Sequence, residues 1–150
     1  MNDRLVAGKA AAEKEILLVE DNPDDAELTR IAFAEAGGEY DLRVVADGAA
    51  AVAYLQRCTP AELPALVLLD LNLPKLNGRE VLQAIRAEPA TRSLPVVVLT
   101  TSAEPFDVDK VYALGANSYI QKPVDFERFV DVVRQIGLYW LALNQPPGNP

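Results

Sequence analysis

Five short apolar runs, each followed by a segment that reads as a helix, constrain this chain more than anything else in it. They lie at residues 16–19 (ILLV), 42–45 (LRVV), 66–69 (LVLL), 96–99 (VVVL) and 118–120 (SYI). The three that are apolar at every position, at 16–19, 66–69 and 96–99, mark strands covered on both faces, and consecutive parallel strands need a crossover of a dozen or more residues. Five such units imply an α/β fold: a doubly wound, five-stranded parallel sheet with helices on both faces.

The punctuation between the runs agrees. Asn22 can cap the first helix with Pro23 at its first position, and Gly37-Gly38 ends it. Asn77 followed by Glu80 reads as a capping box ahead of Val81, Leu82 and Ile85. Gly115 closes the fourth helix and Asp125 opens the fifth. Half of the 150 residues are apolar, enough for one core. The folded unit is expected over 16–143, with residues 1–15 a flexible N-terminal tail and 144–150 (NQPPGNP) a disordered one. No apolar run approaches the roughly 18 residues of a membrane span, and the N-terminus lacks the apolar centre of a secretory signal.

A doubly wound sheet holds its ligand at the carboxyl ends of its strands. Strand one runs into Glu20 and Asp21, strand three into Asp70, strand four into Thr100 and strand five into Lys122-Pro123. Asp70 is the arresting one, because a carboxylate at the rim of a core is costly unless something pairs with it. A turn aspartate ahead of Pro74 and Gly78 is the plainer reading of Asp70, and helix capping is the plainer reading of Asp25. The case for a site rests on the strand-end residues arriving together.

The chain has no histidine and one cysteine, Cys58, and carries a net charge of −8. His-ligated metals, His general bases and an internal disulfide are therefore excluded, and a reducing, cytoplasmic setting fits. The negative charge argues against nucleic acid as a partner. Three crowded carboxylates repel unless a cation intervenes, and hard oxygens suit Mg²⁺, or Mn²⁺, best. A carboxylate beside Mg²⁺ and a lysine is a competent nucleophile toward phosphorus, with Thr100 and Lys122 placed to take charge on the phosphoryl oxygens.

The stretches ILLVEDN, LLDLNLPKLNG, VVVLTTS and YIQKP, in this order, resemble the response-regulator receiver domain of two-component signalling. The resemblance covers residues 16 to 133 and implies the flavodoxin-like strand order 2-1-3-4-5. It implies that Asp70 is the phosphoacceptor, and that Asp21, Asp70 and the backbone carbonyl of Asn72 bind Mg²⁺, with Glu20 acting through water. It further implies that Thr100 and Lys122 contact the phosphoryl group, that Tyr119 is the switch aromatic answering Thr100, and that the Lys122–Pro123 bond is cis. VEDNPDDAELTRIAF, the double threonine of LTTS and the late LYWLAL resemble the single-domain regulators of phytochrome-type histidine kinases. Such a kinase is then the phosphoryl donor, a phosphotransfer protein a further partner, and the output a protein contact, with no effector domain after residue 150. Ser102 departs from receivers that carry an acid there and, with Asn72, flanks the route of a hydrolytic water.

Two enzyme-like or carrier alternatives share the topology. A haloacid-dehalogenase-like phosphohydrolase needs a second aspartate where this chain has Asn72. A flavodoxin-like FMN carrier needs a phosphate loop where this chain has EDNPDD. The chain is therefore read as a signalling receiver whose only chemistry is its own phosphoryl uptake and hydrolysis. The last helix carries one stripe for docking on the sheet, Phe126, Phe129, Val130 and Val133, extended by Trp140 and Leu141. A second stripe, Val132, Ile136, Tyr139 and Leu143, predicts a homodimer through this helix, with Trp140 contributing.

Overall fold

Strand-forming and helix-forming segments alternate from end to end. The computed structural model describes residues 14–37, 40–73, 75–101 and 105–147, with backbone alone for 105 and 106. The strands are β1 (Lys14–Val19), β2 (Tyr40–Val45), β3 (Leu66–Leu69), β4 (Val96–Thr100) and β5 (Ser118–Gln121). The helices are α1 (Pro23–Ala36), α2 (Gly48–Arg57), α3 (Gly78–Ala87), α4 (Pro105–Ala113) and α5 (Phe126–Gly137). A 3₁₀ turn covers Pro60–Glu62, and α5 passes into π-helical turns over Leu138–Leu143. All pairings are parallel and the order is β2-β1-β3-β4-β5. No described helix is long and apolar enough to cross a membrane.

Strand alternation divides the core into two layers. Leu17, Val19, Val67, Leu69, Val96 and Val98 face α2, α3 and Val111 of α4. Ile16, Leu18, Leu66, Leu68, Val97 and Leu99 face α1 and α5. Every residue of β3 and β4 is buried, which is why both runs are apolar without interruption. The expected caps are present: Asn22 Oδ1 accepts the N–H groups of Asp24 and Asp25, and Asn77 and Glu80 exchange the two bonds of a capping box.

Several expectations are corrected. The N-terminal tail does not extend to residue 15: Lys14 and Glu15 belong to β1, in register with Tyr40 and Asp41. Their charges are held, with the Lys14 ammonium donating to the Leu141 carbonyl (2.6 Å) and Glu15 accepting from Arg43 and Tyr54. Ile136, expected at a dimer interface, is only 3 % exposed and packs in the layer with Phe129 and Val133. Seven residues are almost two full turns, so Ile136 lies on the face of Phe129. Val132 and Trp140 are partly buried against the same layer. The helical turns end at Asn144, whose N–H donates to the Tyr139 carbonyl (2.6 Å), and Pro146 and Pro147 stop the helix from continuing. The Lys122–Pro123 bond is trans, and no peptide among the described residues is cis. Trans is the lower-energy form even before proline, and the long lysine stem still reaches the site. Gly38, Pro74, Ser102 and residues 1–13 and 148–150 lie outside the described residues.

Candidate functional site

Backbone bonds continue the sheet one step past the strand ends. Glu20 N–H donates to the Val45 carbonyl (3.0 Å), Asp70 N–H to Val19 (3.2 Å) and Lys122 N–H to Thr100 (2.7 Å). Residues 20, 70, 100 and 122 therefore reach one edge on rigid backbone, at the point where the chain winds to opposite faces of the sheet. Gly78, the first residue of α3, fixes the approach of that helix: a Cβ there would come 2.5 Å from the Asp70 carbonyl oxygen. In the sequence Gly78 reads only as a turn residue, and a glycine straight after a capping asparagine is the available signal.

Within the edge, one oxygen each from Glu20, Asp21 and Asp70 lie within 4.8 Å of one another. Thr100, fully buried, donates its hydroxyl to Asp70 Oδ1 (3.1 Å), and Asn72 N–H donates to the same oxygen (3.3 Å). Lys122 Nζ sits 2.6 Å from Glu20 Oε1 and 3.9 Å from Asp70 Oδ2. Asn22 N–H donates to Glu20 Oε2 (3.3 Å), a contact that sequence reasoning did not foresee. Burial is the main force raising the Glu20 pKa; the Lys122 bond and charge oppose it, and Asp70 adds to it.

Two of the three carboxylates, Glu20 and Asp70, thus share the Lys122 ammonium, and Asp21 adds a third negative charge beside them. That imbalance and an all-oxygen donor set fit a hard divalent cation, which takes one or two carboxylates and keeps several waters. Asn72 is brought to the cluster through its backbone. Tyr119 is not in the cluster: it is half-buried on β5, packs on the layer of Val98 and Val111, and gives its N–H to Tyr112 Oη of α4 (3.1 Å). Another tie to α4, the Arg79–Asp107 ion pair (2.6 Å) from the first turn of α3, also went unread in the sequence.

A family model of the response regulator receiver domain matches residues 16–134. The chain belongs to the response regulator receiver family. This receiver is 44% identical over 135 residues, 89% of this chain and 87% of its relative, to the "Probable methanogenesis regulatory protein FilR2" of Methanothrix harundinacea. It resembles the crystal structure of the phosphorylated cyanobacterial phytochrome response regulator RcpA, with a TM-score of 0.84 and 40% identity over 91% of this chain and all of that one. The Mn²⁺-bound form of the response regulator Rcp1, a protein of Synechocystis sp., gives a TM-score of 0.79 and 40% identity over 90% of this chain and 99% of that one. The receiver is thus a two-component signalling module with relatives among phytochrome response regulators, on the flavodoxin-like order read from the sheet.

Proposed function

We propose that this receiver accepts a phosphoryl group on Asp70 from a histidine kinase of the phytochrome type, in the cytoplasm, and relays the change through protein contacts. The observation that carries this reading is the meeting of Glu20, Asp21 and Asp70 with Thr100 and Lys122 at one strand edge. Asp21, Asp70 and the Asn72 carbonyl would hold Mg²⁺, or Mn²⁺ in its place, with Glu20 reached through water. When bound, the cation offsets negative charge on the phosphoryl oxygens and on the three carboxylates.

A carboxylate oxygen of Asp70 forms the new O–P bond as the N–P bond of the kinase phosphohistidine breaks, and the imidazole leaves. Lys122, now drawn toward Glu20, faces the charge that builds on the transferred group. Thr100 exchanges its bond to Asp70 for one to a phosphoryl oxygen, and the space it leaves admits Tyr119. That exchange gives the two states different interaction energies, as any ligand-driven shift requires. Hydrolysis of the acyl phosphate resets the module. Exposed Leu28 on α1 and Val124 after β5 line a groove that reaches Lys122, which suits a kinase helix laid beside the site.

A homodimer through the last helix is part of this reading. With Ile136 inside the core, the residues that support it are Tyr139 (50 % exposed) and Leu143 (61 % exposed), with Leu138 beside them. Light scattering across a dilution series checks it: Tyr139→Glu with Leu143→Glu should be monomeric where the parent chain is dimeric. A monomeric parent at high concentration would remove the dimer from the account. The phosphoryl transfer is tested by mixing the chain with phosphorylated phytochrome-type and other histidine kinases. Label should pass to the chain in Mg²⁺ and fail to pass in EDTA; transfer that ignores EDTA would contradict the proposed metal site.

A further inference from the structure

A second cavity, of about 860 Å³, opens at the other edge of the sheet, where β1 begins and where the loops into β3 and β4 arrive. It lies about one strand length, roughly 20 Å, from the Asp70 edge. Its volume is within the range of small-molecule sites, about 300–1,000 Å³.

Its charges are unevenly used. Glu15, buried to 7 % exposure, has both oxygens engaged: Tyr54 Oη donates to Oε1 (2.6 Å) and Arg43 Nε to Oε2 (3.1 Å). Glu62, the other acid of the lining, accepts the Thr59 N–H in a capping box (2.9 Å). The cations are not used up in the same way. The Arg43 guanidinium lies 4.8 Å from the Tyr54 ring centroid and that of Arg57 5.9 Å from the same centroid. Among the described residues, Arg57 has no carboxylate partner, and the one bond of Arg43 to a carboxylate runs through Nε. Two guanidinium groups thus lie around one ring, in a chain of net charge −8, and only Arg43 is paired with the buried carboxylate.

Apolar side chains, Trp140, Leu94 and Pro95 among them, also line it. We propose that this cavity binds a small organic anion of nucleotide size, a phosphate monoester on a planar body. The phosphate is held by Arg43 and Arg57, and the planar body rests on the Trp140 side. Guanidinium forks match phosphate oxygens in pairs, and an anion there relieves the repulsion between the two cations. Glu15, which holds Arg43 by Nε, and Tyr54, which bonds Glu15 and packs its ring against the guanidinium, are positioning residues in this arrangement.

The chain has one tryptophan, so its fluorescence reports on this cavity directly. The experiment is a titration with AMP in EDTA, repeated with Asp70→Asn protein, which separates the outcome from the phosphoryl chemistry. Trp140 emission should change saturably, and Arg57→Glu, an exposed substitution that spares the core, should weaken binding about tenfold or more. Arg30→Glu on α1 should leave it unchanged. Adenosine and inorganic phosphate should each bind about tenfold more weakly than AMP. No saturable change at millimolar AMP, an unaltered Arg57→Glu titration, or equal binding of adenosine would overturn the proposal.

Discussion

Glu15 and Glu20 sit on or next to one strand, five residues apart, both carboxylates buried, and they do opposite things. Glu15 receives one neutral donor and one guanidinium, and each oxygen has its own partner. Glu20 also has a partner on each oxygen, Lys122 on Oε1 and the Asn22 N–H on Oε2, but it shares that one ammonium with Asp70, stands beside Asp21, and has its pKa raised mainly by burial. A buried carboxylate whose cation is its own is structure, because breaking its pairs exposes nothing useful. A buried carboxylate short of positive charge is a place where a cation, and then a phosphoryl group, gains energy by arriving.

Truncating the glutamate that has a guanidinium to itself should have the largest effect on stability. Glu15→Ala leaves Tyr54 Oη and Arg43 Nε without their partner and should cost about 2–3 kcal/mol in urea denaturation. A loss below about 0.5 kcal/mol, the size of an ordinary surface substitution, would erase the distinction between the two glutamates. Glu20→Gln removes a charge that burial already disfavours, so metal-free stability should move by no more than about 1 kcal/mol.

Metal addition should reverse that ranking. At a concentration about a hundredfold above its dissociation constant, Mg²⁺ should stabilise the parent chain by about 2.7 kcal/mol. Thermal unfolding with and without Mg²⁺ should show this gain falling sharply in Asp21→Ala and Glu20→Gln and persisting in conservative Glu15→Gln. Equal gains in all four proteins would place the cation elsewhere.

The smallest expected effect is on pH dependence in metal-free protein. Burial keeps Glu20 protonated to higher pH in the folded chain than in the unfolded one, so folding is coupled to proton uptake. The penalty of the buried charge is present at neutral pH and recedes as pH falls through the raised folded value. It is gone once pH drops below the ordinary glutamate value of 4.5. Mild acidification should therefore stabilise the parent chain relative to Glu20→Gln. A stability difference that is flat with pH, or of opposite sign, would mean that Lys122 outweighs burial.

The same contrast explains what could be read from the residues alone. Parallel strands covered on both faces are apolar throughout, so Asp70 after LVLL and Thr100 after VVVL stand out, and topology brings their ends together. Glu15 was illegible for the converse reason. Charges ahead of an apolar run look like a solvated tail, and the partners that bury Glu15 lie 28 and 39 residues away. In α5, periodicity identified the docking face through Phe129 and Val133 but divided the helix into two stripes. Ile136 falls on the first of them, and the π-helical turns after Gly137 rotate the later residues away from any α-helical count. The Arg79–Asp107 tie had no local signal at all, because nothing near either residue announces a contact between two helices.

The central claim is that the underneutralised edge places the transferred group on Asp70. Its most direct measurement is peptide mapping of the phosphorylated chain after borohydride reduction, which converts an acyl phosphate to an alcohol at the modified residue. After labelling in Mg²⁺, the reduced residue should be Asp70, and Asp70→Asn protein treated in parallel should carry no label. Reduction at Asp21 or Glu20, or acid-stable label that survives in Asp70→Asn, would contradict the account.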